Sequence, residues 1–420
     1  MREREHLRIA RIIARLNVGG PARHAVWLTE ALNDGDFASV LIAGTVPSGE
    51  QDMSDFAAAH GVRPIVFKEM SREVSPRDVI TIWKLFRFFA RYRPHIVHTH
   101  TAKAGTVGRI AGLIYRLFTI GAPKCRFVHT YHGHVFHSYY GAIRTRLFLA
   151  IEKVLARLNT DAIVVLSNQQ RDEIHRRFGV GRESQFHVIP LGLDLGEITN
   201  STEGRSALRQ KLKLRDGVTA VGIVGRLAPI KNHDLFLRVA ARMPRAGVAY
   251  VVYGDGSERT TLEERAASLG VRELVTFAGT WAAADIYRSV DIVALTSRNE
   301  GTPLTLIEAM ANGLPVISTA VGGVVDLLGA VEEAIDGYEV RERGITAPSD
   351  DERAFAAGLQ RLLNDDALRQ RIAVRGADFA RVTYSKGRLI VDIIRLYREL
   401  LGTTWQSTSR SQRTVSEELM

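Results

Sequence analysis

At 420 residues the chain is too long for one ordinary core, and its 45% hydrophobic, 24% charged make-up is that of a globular protein, not a disordered or fibrous one. A single cysteine, Cys125, excludes an intrachain disulfide, and no apolar run reaches the roughly 18 residues of a membrane span. The net charge of +10 is uneven: residues 1–200 hold 27 Lys+Arg against 18 Asp+Glu and residues 201–420 hold 29 against 28, so an anionic partner is expected for the first half.

The amino terminus "MREREHLRIARII" lacks the apolar core of a signal peptide, and with one cysteine a cytoplasmic location is expected. From there strands and helices alternate. "RIARIIARL" precedes a helical "PARHAVWLTEAL", and "ASVLIAG", "RPIVFK", "HIVHTH", "RFVHTYH" and "DAIVVLS" follow as β-branched strands between helical stretches. A polar segment at 199–216 interrupts the pattern. It restarts with "TAVGIVGRL", "AYVVYGDG", "LVTFAG", "DIVALTS" and "LPVIST". Such alternation builds parallel sheets from right-handed crossovers, and their ligands bind beyond the carboxyl ends of the strands. The expected organisation is α/β with two doubly wound domains, 1–200 and 201–380, whose strand ends can face a common cleft. A helix at 381–400 is expected to pack back on the first domain, and a polar, disordered tail is expected at 401–420.

The densest motif is "SRNEGTPLTLIEAMANGLPVIST", residues 297–319. Pro303 suits the first turn of a helix that Thr302 would cap and Asn312–Gly313 would end. Glu300 then precedes the helix and Glu308 lies in its second turn. The free N–H groups between them form an anion site that Gly301 leaves open to a phosphate. Carboxylates flanking such a site match a nucleotide sugar, with sugar hydroxyls at each end and a diphosphate between. A loop glutamate is also favoured by the helix dipole without any ligand, but Glu308, set among apolar residues, needs a partner. "VGRLAPIKN" brings Arg226 and Lys231 to a strand end, where two cations can clamp a diphosphate and stabilise its departure.

In the first half, Gly19 and Gly20 separate the first strand from its helix, and their amides can meet phosphate. No G-x-G-x-x-G follows a strand, which counts against a nicotinamide or flavin enzyme. His98, His100, His129, His132, His134 and His137 cluster in two stretches without cysteine or carboxylate at zinc-ligand spacing, so they are expected to line a cleft or pack, not to bind metal. Asp34-Gly35-Asp36 reads as a turn. Residues 75–94 carry Arg77, Lys84, Arg87, Arg91 and Arg93 against Asp78, interleaved with Trp83, Leu85, Phe86, Phe88 and Phe89. Such a helix can lie on an anionic bilayer or pack its aromatics on the sheet.

Together these pieces resemble glycosyltransferase family 4, the retaining GT-B transferases, over residues 8–400. The match is strongest in "GRLAPIKN", "YGDGSER", "TFAGTW", the 297–319 stretch and "VGGVVDLL". The resemblance implies Glu300 on the donor sugar, Glu308 on the ribose, and Arg226 and Lys231 on the diphosphate. It also implies Phe277–Gly279 beside the base, with Gly301, Thr302 and Leu304 in the donor site. On the first half it implies Gly19–Gly20 at the phosphates and His132 beside the anomeric carbon. It further implies a nucleotide-diphosphate sugar as co-substrate, no metal or other cofactor, and a glycan or polyprenyl diphosphate-linked acceptor of bacterial surface-polysaccharide synthesis. A peripheral membrane contact through residues 75–94 is expected, and no nucleic-acid module is recognised. Leu191 in "IPLGLD" departs from the Asn usual in the family. A non-hydrolysing nucleotide-sugar epimerase shares the two-domain plan and is the alternative reading; a basic nucleic-acid- or membrane-binding protein is the second.

Overall fold

The computed structural model describes residues 6–33, 36–47, 50–71, 75–121, 123–132, 142–196, 204–244 and 246–402. Contacts divide the chain into two units: Met1–Gly192 with the helix Lys386–Leu401, and Leu193–Ser385. Residues 403–420 of the expected tail, and Asp34–Gly35 of the expected turn, lie outside the described residues, while Leu401 still belongs to the helix.

The first unit is built on β1 (Leu7–Ile13), β2 (Phe37–Gly44), β3 (Ile65–Phe67), β4 (Ile96–His100), β5 (Arg126–Thr130), β6 (Ala162–Val165) and β7 (Phe186–Val188). They pair in the order β3-β2-β1-β4-β5-β6-β7, all parallel. The chain steps outward from β1 in both directions, so the order reverses between β1 and β4. A crevice opens at such a switch point beyond the strands' carboxyl ends. Alternate residues of β1 feed two layers. Ala10 and Ile12 pack with Leu85, Phe89 and Tyr115 on one face, while Ile9 packs with Leu28 and Leu32 on the other.

The helix Lys386–Leu401 closes that second layer. Leu389, Ile393, Leu396 and Tyr397 follow a helical period and are buried against Ile9, Val128 and Val164. Each such burial stabilises by about 1.5–3 kcal/mol. The helix expected at 381–400 is in fact two, Asp366–Tyr384 and Lys386–Leu401, broken at Ser385. The Tyr384 carbonyl accepts from the Leu193 amide at 2.7 Å instead of continuing a helical ladder. Apolar spacing runs unbroken through the junction, so periodicity alone could not reveal the break.

The second unit holds β8 (Thr219–Val224), β9 (Val248–Tyr253), β10 (Val275–Gly279), β11 (Ile292–Leu295), β12 (Val316–Thr319), β13 (Val331–Ile335), β14 (Tyr338–Arg341) and β15 (Gly344–Ala347). Their order is β10-β9-β8-β11-β12-β15-β14-β13, parallel up to β15 and antiparallel through β14 and β13. Here the switch point falls between β8 and β11. The strand pattern read from the sequence lacks β7 and β13–β15. β7 is three residues long, and β13 is exposed and polar, without the apolar alternation that marks a strand. Asp336–Gly337, both at positive φ, turn β13 into β14, and an Asp-Gly pair is itself a hairpin signal.

A buried ion pair ties two helices of the first unit. Arg109, on the helix Ala102–Phe118, meets both oxygens of Glu152 at 2.6 and 2.7 Å, and Tyr131 donates to the same carboxylate at 2.5 Å. Burial opposes the guanidinium's charge, but Glu152 beside it holds its pKa above the ordinary value. Glu152→Gln removes the anion and leaves a buried cation, and should cost about 3–5 kcal/mol, read as a lowered urea midpoint for the unfolding of the first unit.

Candidate active site

In the second unit the 297–319 stretch follows β11, at the switch point. Its helix is Leu304–Ala311, with Pro303 rather than Thr302 in the capping position and no side-chain cap. The Pro303 carbonyl accepts from the amides of Leu306 and Ile307. Proline's closed ring suits the helix entry, but the turn begins one residue later than a Thr302 cap requires. Asn312 and Gly313 end it as expected, Gly313 at φ 69°.

Glu300 does not stand free. Its Oε1 accepts from Lys231 Nζ at 2.5 Å and from Ser297 Oγ at 2.6 Å. Lys231 closes the short turn Pro229–Lys231, which docks on β11: Thr296 Oγ1 donates to the Lys231 and Asn232 carbonyls at 3.1 and 2.8 Å. The Glu300 backbone is clasped from the far side, its carbonyl accepting from the Gly323 amide at 3.1 Å. A Cβ on Gly322 would lie 1.9 Å from that carbonyl, so glycine alone permits the approach. Glu308 has the partner its apolar setting demands: Tyr287 OH donates to Oε2 at 2.7 Å. Burial, and then the Glu308 carboxylate, push the Tyr287 phenol well above its ordinary pKa, so it stays a donor.

Arg226 is exposed just beyond β8, while Lys231 is already paired. Of the two cations expected to clamp a diphosphate, one is thus open and the other is held by Glu300. Beside them the ends of β8, β9 and β10 form a floor of glycines. The Gly254 amide donates to the Gly279 carbonyl at 2.8 Å, and a Cβ at Gly254 would meet the Gly225 carbonyl at 2.0 Å. Phe277 is half-buried under the Arg272 guanidinium, 5.8 Å from its ring centre. Gly301, Thr302 and Leu304 are each half-buried along the turn.

Gly19 and Gly20 belong to the first unit, at the start of the helix Gly20–Ala31, where Gly20 faces open space. His132, half-buried beyond β5, belongs there too. The other strand-end histidines are interior groups: His98, His100 and His129 have no exposure, and His24, which sequence reading did not single out, has 3%. His134 and His137 lie outside the described residues. The His100 and His132 rings meet at 2.9 Å between Nδ1 and Nε2, and His24 stands edge-on to His132 at 4.9 Å between centroids. Among the described residues no group of three His, Cys, Asp or Glu could hold a metal ion. Ser297 was legible as the residue three before Glu300. Tyr287 and Gly322 were not, because their role exists only once separate segments meet.

Two family models match the chain, one described as "Glycosyl transferases group 1" over residues 204–379 and one as "Glycosyltransferase Family 4" over residues 18–197. The chain belongs to glycosyltransferase family 4. A D-inositol 3-phosphate glycosyltransferase of Salinispora arenicola is 31% identical over 269 residues, 60% of this chain and 57% of that protein. The chain spans little more than half the length of the inositol-phosphate transferases it matches. An alpha-D-kanosaminyltransferase of Streptomyces kanamyceticus is 26% identical over 316 residues, covering 72% of this chain and 77% of that protein. Among solved structures, Anabaena HepE in complex with UDP superposes with a TM-score of 0.76 at 21% identity, over 93% of this chain and all of HepE. The fold class is GT-B, two doubly wound Rossmann-like domains in one chain, as the sequence implied.

The histidines give this family member a pH signature. Burial first, and neighbouring imidazoles and Arg11 after it, hold His24, His98 and His100 well below their ordinary value of 6.5, and burial alone takes His132 to about 3. They are neutral in the native state and protonate near 6.5 when unfolded. Between those values the unfolded chain binds more protons, so stability falls as the pH falls. The thermal stability of the first unit should therefore fall progressively below about pH 6.5. His24→Phe, which removes one buried titrating group, should flatten that slope.

Proposed function

We propose that this chain transfers a hexose-type sugar, with retention, from a nucleotide-diphosphate sugar to a glycan or lipid-linked acceptor in surface-polysaccharide synthesis. The observation that carries this is the Lys231–Glu300 pair at the β8/β11 switch point, between a helix start and a glycine floor. A diphosphate arriving there competes for Lys231, and Arg226 adds a second cation. Releasing Lys231 frees Glu300 for the sugar hydroxyls, while Glu308, steadied by Tyr287, takes the ribose. HepE, a structural neighbour, is described in complex with UDP, with UDP and glucose and with UDP-glucose, which supports the same donor class here.

The reaction proposed is a front-face displacement. The bond from the anomeric carbon to the diphosphate oxygen breaks, the acceptor oxygen forms the new bond on the same face, and its proton passes to the leaving phosphate. Arg226, Lys231 and the amides at Leu304 stabilise the departing charge without a metal ion. Gly19–Gly20 approach the phosphates, Phe277–Gly279 flank the base, and His132 polarises the sugar. Free epimerised sugar nucleotide formed without acceptor would favour the epimerase reading instead.

Calorimetry with UDP beside turnover, run with and without excess chelator, tests the assignment. Glu300→Ala should depress kcat heavily yet leave UDP affinity unchanged or tighter, since Lys231 is freed. Glu308→Ala should weaken UDP by about 1–3 kcal/mol. The opposite pattern reverses the two carboxylates, and loss of transfer in chelator overturns the metal-free scheme.

We further propose that the helix Asp78–Tyr92 rests on an anionic bilayer. Leu85 and Phe89 are core residues and Phe86 and Phe88 pack beside them, so most of the aromatic face belongs to the sheet. Val79, Ile80 and Trp83, the last 55% exposed, remain outward. The contact proposed is peripheral, and no helix among the described residues is long and apolar enough to cross a membrane. Phosphatidylglycerol vesicles should sediment the protein at low salt and release it at high salt, with Trp83→Ser binding less. Failure to sediment at low salt removes the contact.

A further inference from the structure

The first unit holds an imidazole network whose proton positions follow from its partners. Arg11, fully buried in β1, donates through Nη1 to His98 Nδ1 at 3.1 Å and to Tyr397 OH at 3.0 Å. A guanidinium can only donate, so His98 Nδ1 is an acceptor. Its proton is on Nε2, which donates to Thr130 Oγ1 at 2.7 Å. Tyr397 OH, 2.6 Å from the same Nδ1, braces the ring from the helix Lys386–Leu401. The His98 ring lies 4.2 Å from His100, tilted 34°.

His100 ends β4 with no exposure, and its Nδ1 lies 2.9 Å from His132 Nε2. Both rings are neutral at pH 7, because burial lowers both pKa values. One proton therefore lies between them, and it has two placements. If His132 Nε2–H donates, the His100 proton must sit on its own Nε2, an atom buried without a partner among the described residues. That strands an N–H in the interior, the rarer and costlier defect. If His100 Nδ1–H donates, its Nε2 is a bare lone pair, and the proton of His132 is on Nδ1.

We propose that His100 is a positioning residue that fixes His132 as the Nδ1–H tautomer, so that His132 meets the substrate as a neutral hydrogen-bond donor and not as a base. The role at the substrate rests on the transferase reading above; the tautomer does not. The two fit. When the leaving phosphate takes the acceptor's proton, a second base is superfluous, whereas a fixed donor can hold a sugar oxygen throughout the displacement. His24, edge-on to His132 and with both ring nitrogens buried and unpartnered among the described residues, walls the pair on its other side without competing for the proton.

The test is a long-range proton–nitrogen correlation spectrum of the full chain labelled with [15N]histidine, with the His132 signals assigned by their loss in His132→Gln. The expected wild-type pattern is a neutral ring protonated at Nδ1. His100→Asn places an amide N–H where Nδ1 stood and should keep that pattern. His100→Phe should release it to the Nε2–H form. With UDP-glucose as probe, His100→Phe should lower kcat by roughly 5–150-fold, one hydrogen bond's contribution in the transition state, with KM little changed and Asn restoring most of the rate. An Nε2–H pattern in the wild type overturns the proposal whatever the kinetics, as does a His100→Phe variant with unchanged tautomer and kcat. Should His100→Phe not fold, the wild-type and His100→Asn spectra still decide. A wild type that turns over no sugar nucleotide overturns the transferase reading and leaves the tautomer to the spectra.

Discussion

A strand buried on both faces must be covered by helices, and a helix that returns the chain to a parallel neighbour brings every strand out on the same edge of the sheet. The candidate site residues of both units depend on that constraint. In the second unit it gathers the ends of β8, β9, β10 and β11, so Gly225, Gly254, Gly279 and Ser297 surround one patch although 72 residues of sequence separate the first from the last. In the first unit it gathers His100 and His132 from β4 and β5 beside the switch point. Where the strand order reverses, the covering helices part, and the loops that carry charge lie there.

Charge in this fold is handled in two ways. Arg109–Glu152 is a fully buried pair whose remaining acceptor capacity is taken by Tyr131, an arrangement that specifies how two helices dock. Lys231–Glu300 is also short, yet Lys231 is 28% exposed and Glu300 10%. An anion can reach that lysine and compete for it. The same contact is therefore structural in one place and exchangeable in the other, and burial makes the difference.

The histidine network shows the complementary strategy. Arg11 is buried with neutral partners, the hydroxyls of Thr29 and Tyr397, the Leu28 carbonyl and His98. Burial first, and this cation after it, keep His24, His98 and His100 neutral. Neutral imidazoles have defined donor and acceptor sides, which a protonated ring lacks.

Sequence by itself determined the class of fold and singled out the residues proposed to carry chemistry. Alternating β-branched runs and helical stretches require parallel crossovers, and Glu300, Pro303 and Glu308 sit at spacings that only a loop-to-helix turn makes useful. Those are local facts, written in consecutive residues. What only the tertiary structure decided is partnership: that Lys231 holds Glu300 across 69 residues, that Tyr287 answers Glu308, that Gly322 must be glycine because a distant carbonyl touches it, and that strand-end histidines are interior. The break at Ser385 belongs with these, since the amphipathic period continues across it and only the Leu193 amide reveals the stop. Propensity and period act over a few residues, whereas hydrogen bonds and close packing join segments that the chain order keeps apart.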